Sequence, residues 1–411
     1  LKRFSPGFLK TVGLVVPRTP PQHPYMQFQN TGRQFRALQD KLSESHTVRN
    51  VDLTKGVLPE DIDLLLVAAP ENLGEKELFA VDQFLMKGGT VVLSTSPFGV
   101  NRGLSGSLSS ESVNSGLEDW LKGHGVEIEK KLVLDPSSEP YPIPHRRRAG
   151  PFTVEEIQLV PYLPFVDVRG EGLNRESMIT SRIPQVTVNW PSPIKVDAEK
   201  NKERKVTSLL HSSKRSWAAA TSNVQPDFET YGKAGFPVDG EVKSYLLAAM
   251  LEGRFESGFK GKDSPLLQKE KEGKDKTKDK DEKEGASKDE PVISGVIEKS
   301  PDSARLVVFA SNEFMTDQVL QISALSGSTR YLNTLQLIEN VVDFSLEDPA
   351  LLTIRSRGHF SRTLNPMSNA WKSAWEYINY GAALLGLVLI YLLYRIHCAR
   401  KAQYYNNLLA A

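Results

Sequence analysis

Seven histidines, His23, His46, His124, His145, His211, His359 and His397, are the side chains best suited to proton transfer or metal binding, and each stands alone along the chain. Two imidazoles share a helix face only at a spacing such as His-x-x-x-His, which does not occur, so no metal is expected. His124 follows a helical stretch and is expected to cap it. Gly253 and Gly258 have the separation of a phosphate-binding loop, but Phe259 and Lys260 follow where a Lys and a Ser or Thr would have to meet phosphate and magnesium. No Gly-x-Ser-x-Gly elbow presents a serine nucleophile. The single cysteine, Cys398, lies near the C-terminus, which excludes an intrachain disulfide, a cysteine metal site and a thiol nucleophile elsewhere. Asp61 and Asp63 read as acids opening a strand rather than as an acid-base pair. No catalytic residue and no cofactor is expected.

One dense basic cluster, His145-Arg146-Arg147-Arg148, has the chemistry to attract phosphates, lipid headgroups or an acidic partner, although a solvated surface loop is the plainer reading. The chain as a whole gives no such pull. Its 51 Lys and Arg residues nearly balance 50 Asp and Glu, so no nucleic-acid partner is expected. At 411 residues, 39% hydrophobic and 25% charged, it is long and apolar enough for two domains with cores.

The elements that would position these side chains begin with a short β-rich run, Thr11 to Val16, ended by Pro17. Phe28, Phe35, Leu38 and Leu42 fall at helical spacing, and a strand is expected from Thr47 to Leu53. A second apolar run, Ile62 to Ala69, stops at Pro70. The amphipathic stretch Glu75 to Lys87 follows, with Gly88-Gly89 to cap it, then the strand Thr90 to Ser94. Alternating helices and near-continuous apolar strands predict an α/β fold with a mostly parallel sheet covered on both faces. In such sheets ligands bind outside the carboxyl ends of the strands. That rim carries Arg18 and Thr19, then Glu71 and Asn72, then Ser94 and Ser96, and these are the candidate ligand or partner contacts; a solvated rim without a ligand is an equal alternative.

Residues 103–116 are Ser- and Gly-rich and read as a flexible loop at that edge, before a helix at 117–122 and a strand through 126–134. The first α/β part is taken as 1–150. From 151 to 260 prolines are frequent and Gln185 to Trp190 alternates, predicting a β-rich insertion or second domain. Residues 261–291 are expected to be a disordered charged loop, since Lys269 to Glu290 holds eight lysines and nine acids with no aromatic or branched apolar residue. Arg305 to Ala310 restores a buried strand and Leu335 to Phe344 a helix, so 292–358 is expected to rejoin the first sheet, with Leu351 to Arg357 leading to a linker over 359–374.

Ile378 to Tyr394 carries no formal charge, and Trp375 to Arg395 is long enough at about 1.5 Å per residue to cross about 30 Å of hydrocarbon. Trp371, Trp375 and Tyr380 at one end and Tyr391 and Tyr394 at the other suit the headgroup layer. A transmembrane helix is expected over 375–397, with Arg395, Arg400 and Lys401 placing the 398–411 tail in the cytoplasm. Arg355, Arg357 and Arg362 on the other side oppose that assignment. The start at Leu1, with no initiator Met, reads as a fragment; if the bulk lies outside the cytoplasm, an export signal or earlier transmembrane helix is expected upstream.

Several of these stretches also resemble a known family. Val51-Asp52-Leu53, Asp61 to Pro70 and Ala80 to Gly89 are similar to the auxiliary component of gliding-motility-type ABC transporters, the GldG-like family. Leu117 to Leu121, Leu132 to Asp135 and Val307 to Phe314 extend the resemblance over most of the chain, though not over the charged insertion. The resemblance implies an amidotransferase-like or flavodoxin-like domain, also akin to intraflagellar-transport-type folds. It implies a non-enzymatic component beside an ABC permease and its ATP-binding subunit, in a bacterial inner membrane, with its bulk extracytoplasmic and a periplasmic or envelope protein as a further partner. A degenerate amidotransferase or hydrolase using a serine in the 94–115 region, and a purely structural envelope scaffold, are the alternatives.

Overall fold

The strands Thr11–Val15, Leu64–Ala68 and Thr90–Ser94 are buried because their side chains alternate between two apolar layers. Leu64, Leu66 and Ala68 enter one core, while Leu65 and Val67 enter the other. The computed structural model describes residues 10–18, 32–103, 107–149, 152–267, 295–326, 330–346 and 369–409. Thr19 and Phe28, the charged run Lys269 to Glu290, the segment Leu351 to Arg357 and the greater part of the 359–374 linker lie outside the described residues.

The first elements are β1 (Thr11–Val15), α1 (Arg36–Ser43), β2 (Thr47–Asn50), β3 (Leu64–Ala68), α2 (Glu75–Met86) and β4 (Thr90–Ser94). The 94–134 region forms β5 (Phe98–Arg102), β6 (Leu108–Ser112), α3 (Glu118–Gly123), β7 (Val126–Ile128) and β8 (Leu132–Leu134). Next come β9 (Tyr141–Ala149), β10 (Phe152–Val160), β11 (Phe165–Arg169), β12 (Gln185–Asn189), β13 (Ile194–Val196), β14 (Lys205–His211), β15 (Trp217–Ala219), α4 (Phe228–Tyr231) and β16 (Leu246–Glu252). The chain continues with β17 (Arg305–Phe309), α5 (Asp317–Leu325), α6 (Tyr331–Leu346) and α7 (Asn369–Leu409).

Nine strands form one sheet in the order β2-β1-β3-β4-β17-β16-β13-β7, with β14 paired to β16. Neighbours from β2 to β17 are parallel, whereas β16 and β7 run against the rest, so the fold is mixed α/β with a mostly parallel sheet. Strand β17 joins β4 in register, Arg305 beside Thr90 and Phe309 beside Ser94. Between β4 and its neighbour β17 the chain lays down β7, β13, β14 and β16 of the same sheet. Residues 151–260 are β-rich, yet β13, β14 and β16 extend the same sheet and share its cores.

Helices α1 and α6 cover one face through Leu38, Leu42, Leu335, Ile338 and Val342, and α2 and α3 cover the other through Val81, Leu85, Trp120 and Leu121. A third, aromatic core of Tyr141, Tyr162, Phe165, Trp190, Trp217 and Phe236 organises the intervening segment. Its rings meet mostly edge to face, as Phe165 does on Tyr162 and Trp190. Asp82 on α2 is fully buried without a cation. Its carboxylate accepts from the Trp120 indole at 2.9 Å, Ser257 Oγ at 2.6 Å, the Gly258 N–H at 2.9 Å and Gln83 Nε2 at 3.0 Å, so neutral donors pin the 257–258 turn to the first half of the fold.

Several expectations are corrected. Within the stretch 103–116 expected as a flexible loop, Leu108–Ser112 is strand β6, paired antiparallel with β5, Phe98 opposite Ser112 and Arg102 opposite Leu108, and Val100 and Leu108 enter the aromatic core; 104–106 lie outside the described residues. The single strand expected over 126–134 is two strands in different sheets, β7 with β13 and β8 with β15. The first helix starts at Arg36, and the strand after it ends at Asn50 rather than Leu53. Helix α2 does end at the glycines: Gly88 has φ 90°, and the Gly89 N–H reaches back to Phe84 O at 3.1 Å.

Helix α7 belongs to a separate unit, residues 361–411. Among the described residues it is the one helix long and apolar enough to cross a membrane. It runs beyond both bounds expected for the span, from Asn369 to Leu409, and its leucines Leu384, Leu385 and Leu387 are exposed.

Candidate functional site

The carboxyl ends of β1, β3, β4 and β17 meet at one rim, and an arginine that precedes α1 organises it. Segment 33–37 is clamped to the turn after β17, because Asp317 accepts the free N–H groups of Arg36 and Ala37 at the start of α1, both at 3.0 Å, while its own N–H donates to Gln34 O at 2.8 Å. The clamp brings Arg33 Nε to Glu313 Oε1 at 2.6 Å. The same guanidinium reaches Glu71 after β3 in a close ion pair and Glu111 on β6 at 3.3 Å. One cation therefore holds three carboxylates from three separate stretches of chain. Gly99 makes room for it, since a Cβ there would overlap the guanidinium.

Glu313 is buried and also accepts the Val100 N–H at 3.1 Å. Burial raises its pKa above the usual carboxylate value, even though Arg33 pulls the other way. Burial alone would lower the Arg33 pKa, but the carboxylates together hold it above the ordinary value. A buried pair of this kind specifies geometry more than it adds stability, and removing one partner is costly.

The rest of the rim is closed by side chains bonded to backbone. Asn312 accepts the Ser96 N–H at 3.1 Å and donates to Ser96 O at 2.7 Å and Phe98 O at 2.8 Å, as a strand edge would. Ser311 Oγ donates to Asn189 O at 2.6 Å and accepts the Glu313 N–H at 3.1 Å. Ser94 is buried with its hydroxyl on Ser311 O, and Ser96 is buried with its hydroxyl 3.1 Å from Ser192 Oγ. Neither serine faces solvent, contrary to their placement as contact residues. Ala69 (φ 47°) and Asn72 (φ 49°) hold left-handed backbone in the turn after β3, a conformation unfavourable for non-glycine residues that is retained where surroundings fix it. The Asn72 N–H donates to Asn114 O at 2.7 Å.

Arg18 and Glu71 keep exposed side chains on this rim. Arg18 donates to Glu77 at 2.7 Å and lies 3.5 Å from Asp52, beside an open concavity of about 360 Å³ lined by Thr54, Gly74, Lys76 and Pro265. A more enclosed cavity of about 300 Å³, lined by Val57, Pro59, Ile62, Phe79, Phe84 and Leu266, lies at the opposite edge, where the chain enters β3 and β4. Asp63 there fixes Lys10 and the Thr11 N–H, and Asp61 pairs with Arg49, so both acids are structural.

His124 does end α3, as expected, and is buried between the edges of Trp120 and Phe255 with Nε2 lacking a hydrogen-bond partner. Burial, with Arg204 and Lys200 nearby, lowers its pKa to about 3, so the ring is neutral at physiological pH. The basic cluster lies on a nine-residue strand, β9, rather than in a loop: Arg146, Arg147 and Arg148 stand opposite Glu155, Val154 and Thr153 of β10. Trp371, Trp375, Tyr380, Tyr394 and Arg395 all lie on α7, and Trp371 and Tyr394 are about 35 Å apart at 1.5 Å per residue. Arg33, Glu111 and Glu313 were not legible as site residues in the sequence. The available signal was the polar Ser311-Asn312-Glu313 run following a buried strand, which puts it on the carboxyl rim.

Comparison with known proteins adds one decisive match. A solved structure described as the mmIFT52 N-terminal domain aligns at 12% identity and TM-score 0.41, covering 83% of this chain and 99% of that one. A ThuA-like protein from Bacteroides uniformis aligns at 11% identity and TM-score 0.36, covering 83% and 93%. At those scores the likeness carries no argument. No curated protein matches significantly. The family model described as ABC-type uncharacterized transport system matches residues 9–347, and the chain therefore belongs to that ABC transport auxiliary family.

Proposed function

We propose that this protein is a non-enzymatic, membrane-anchored component of an ABC-type transport system, of the GldG-like type, that binds a partner protein or substrate beside the permease. The observation that carries the proposal is a family match over most of the soluble unit in a chain that also bears one apolar helix of membrane-spanning length. Helix α7 crosses the bilayer with Arg395, Arg400 and Lys401 on the cytoplasmic side, and the unit ending at Phe360 lies outside the cytoplasm. The partner contacts are the exposed rim residues Arg18 and Glu71, together with the turn at Asn72. A non-catalytic role is favoured by the state of three of the serines in the 94–115 region that a hydrolase reading would draw on. Ser94 and Ser96 are buried and engaged, and Ser115 Oγ donates to Glu118 at 3.0 Å.

Purification of the native assembly in mild detergent, with every co-purifying chain identified by mass spectrometry, tests this reading. An ATP-binding subunit together with a multi-span permease is the expected result. Repeated recovery of this protein alone would overturn it.

A further inference from the structure

Helix α7 is 41 residues long, about 60 Å at 1.5 Å per residue, whereas a bilayer core of about 30 Å takes up roughly half of that length. One face of it carries a seven-residue repeat. Tyr377, Leu384, Tyr391, Cys398 and Tyr405 recur at intervals of seven, and Tyr380, Leu387 and Tyr394 each follow a member of that series by three. At about 100° per residue, both series fall within an arc of about 100°. The Tyr394 and Cys398 side chains hydrogen-bond to one another along this face. Arg395 and Lys401 border it on either side, and their long stems let the charges reach headgroups or water.

The opposite face changes character where the bilayer ends. Ile378, Leu385, Leu389 and Ile396 line it along the apolar stretch, and Arg400, Gln403 and Asn407 continue it beyond. It is apolar where acyl chains surround the helix and polar where water does, as a lipid-facing surface requires. The repeat face makes no such change. Tyr405 lies 11 residues past Tyr394, about 16 Å further along the axis, so Cys398, Ala402 and Tyr405 carry the same stripe into water, where lipid offers no cover. A stripe that runs unbroken from hydrocarbon into water fits a second helix lying alongside. The period agrees, because a repeat of seven keeps one face turned to a neighbour in a left-handed supercoil. The hydroxyls select the neighbour. Tyr377 and Tyr380 at one depth and Tyr391 and Tyr394 at another need hydrogen-bonding groups at the same two depths. A parallel copy of α7 in register supplies them, tyrosine against tyrosine, about a two-fold axis.

We propose that α7 pairs in parallel with α7 of a second copy of this chain through this seam. The proposal rests on the membrane-spanning reading of α7, and the test separates the two. The full chain, with Cys398 as its single cysteine, is oxidised in native membranes by air with copper-phenanthroline, before and after fusion with excess lipid. Resistance to alkaline carbonate extraction reads the anchor by itself. Extraction of the chain would overturn the anchor and the proposal with it. In the resistant fraction, a disulfide-linked product containing two copies of this chain, identified by mass spectrometry, is expected before and after lipid dilution, because the bond forms only between Cα atoms within about 7 Å. The product should persist when the thiol is moved along the seam by Cys398→Ser with Tyr405→Cys. It should be lost with Cys398→Ser plus either Arg400→Cys or Gln403→Cys, which place the thiol on the opposite face. Absence of the product at both seam positions, equal product from the two faces, or an adduct of the seam cysteines with a different membrane protein overturns the pairing and leaves the anchor standing.

Discussion

Two buried titratable residues carry opposite pH signatures, and each gives a measurable consequence. His124 has a folded pKa depressed to about 3 against 6.5 when unfolded, so the unfolded state binds more protons between those values and stability rises with pH across that window. Its contribution is fully present above the unfolded value and is lost on acidification. Between about pH 7 and pH 5 the loss amounts to about 2 kcal/mol. His124→Phe keeps an aromatic edge against Trp120 and Phe255, and its urea midpoint should lose that part of the pH dependence. An unchanged slope would mean that His124 does not carry it. Glu313 behaves in the reverse sense. Its folded pKa is raised, so the folded state binds the extra proton and stability falls as pH rises from the ordinary carboxylate value to the raised one. Arg33→Met leaves that carboxyl buried without its cation and should cost about 3–5 kcal/mol at neutral pH. Part of the loss should be recovered on acidification, and more on adding Glu313→Gln. A variant as stable as the parent at pH 7 would show that the clasp is dispensable.

Among the elements, those with strong periodicity or continuous apolar runs were legible in the sequence, and those built on few apolar residues were not. Leu64 to Ala68 and Thr90 to Ser94 declared themselves because both faces of a central parallel strand are buried. The β5–β6 hairpin was hidden because Gly99, Ser109, Ser110 and Ser112 make it look like a loop, and only Val100 and Leu108 anchor it. The rim was found by topology, yet its chemistry was missed. Ser94 and Ser96 lie on it but are consumed by Ser311, Asn312 and Ser192, while the Arg33 clasp depends on contacts across 280 residues that no local pattern encodes. For α7 the boundary of the span is set by polar residues, whereas the helix itself continues to Leu409. The proposed orientation makes a direct prediction, because Cys398 is the single cysteine and is exposed just past the apolar stretch. A membrane-impermeant maleimide should label it only after cells are broken open. Labelling in intact cells would reverse the assigned topology.

For the molecule as a whole, the sheet's carboxyl edge is built as a clasped and largely buried seam, with Arg18 and Glu71 as exposed charges at its margin. That arrangement suits contact with a protein surface better than enclosure of a small substrate. In the proposed function this margin is the surface offered to an integral-membrane partner. Membership of the ABC transport auxiliary family implies a permease and its ATPase as partners. The most direct measurement is photo-crosslinking in native membranes, with a photoreactive residue placed at Arg18 and, as a control, at Lys202. The account predicts an adduct between the Arg18 position and a multi-span permease, absent at Lys202. No adduct at Arg18, or equal adducts at both positions, would contradict it.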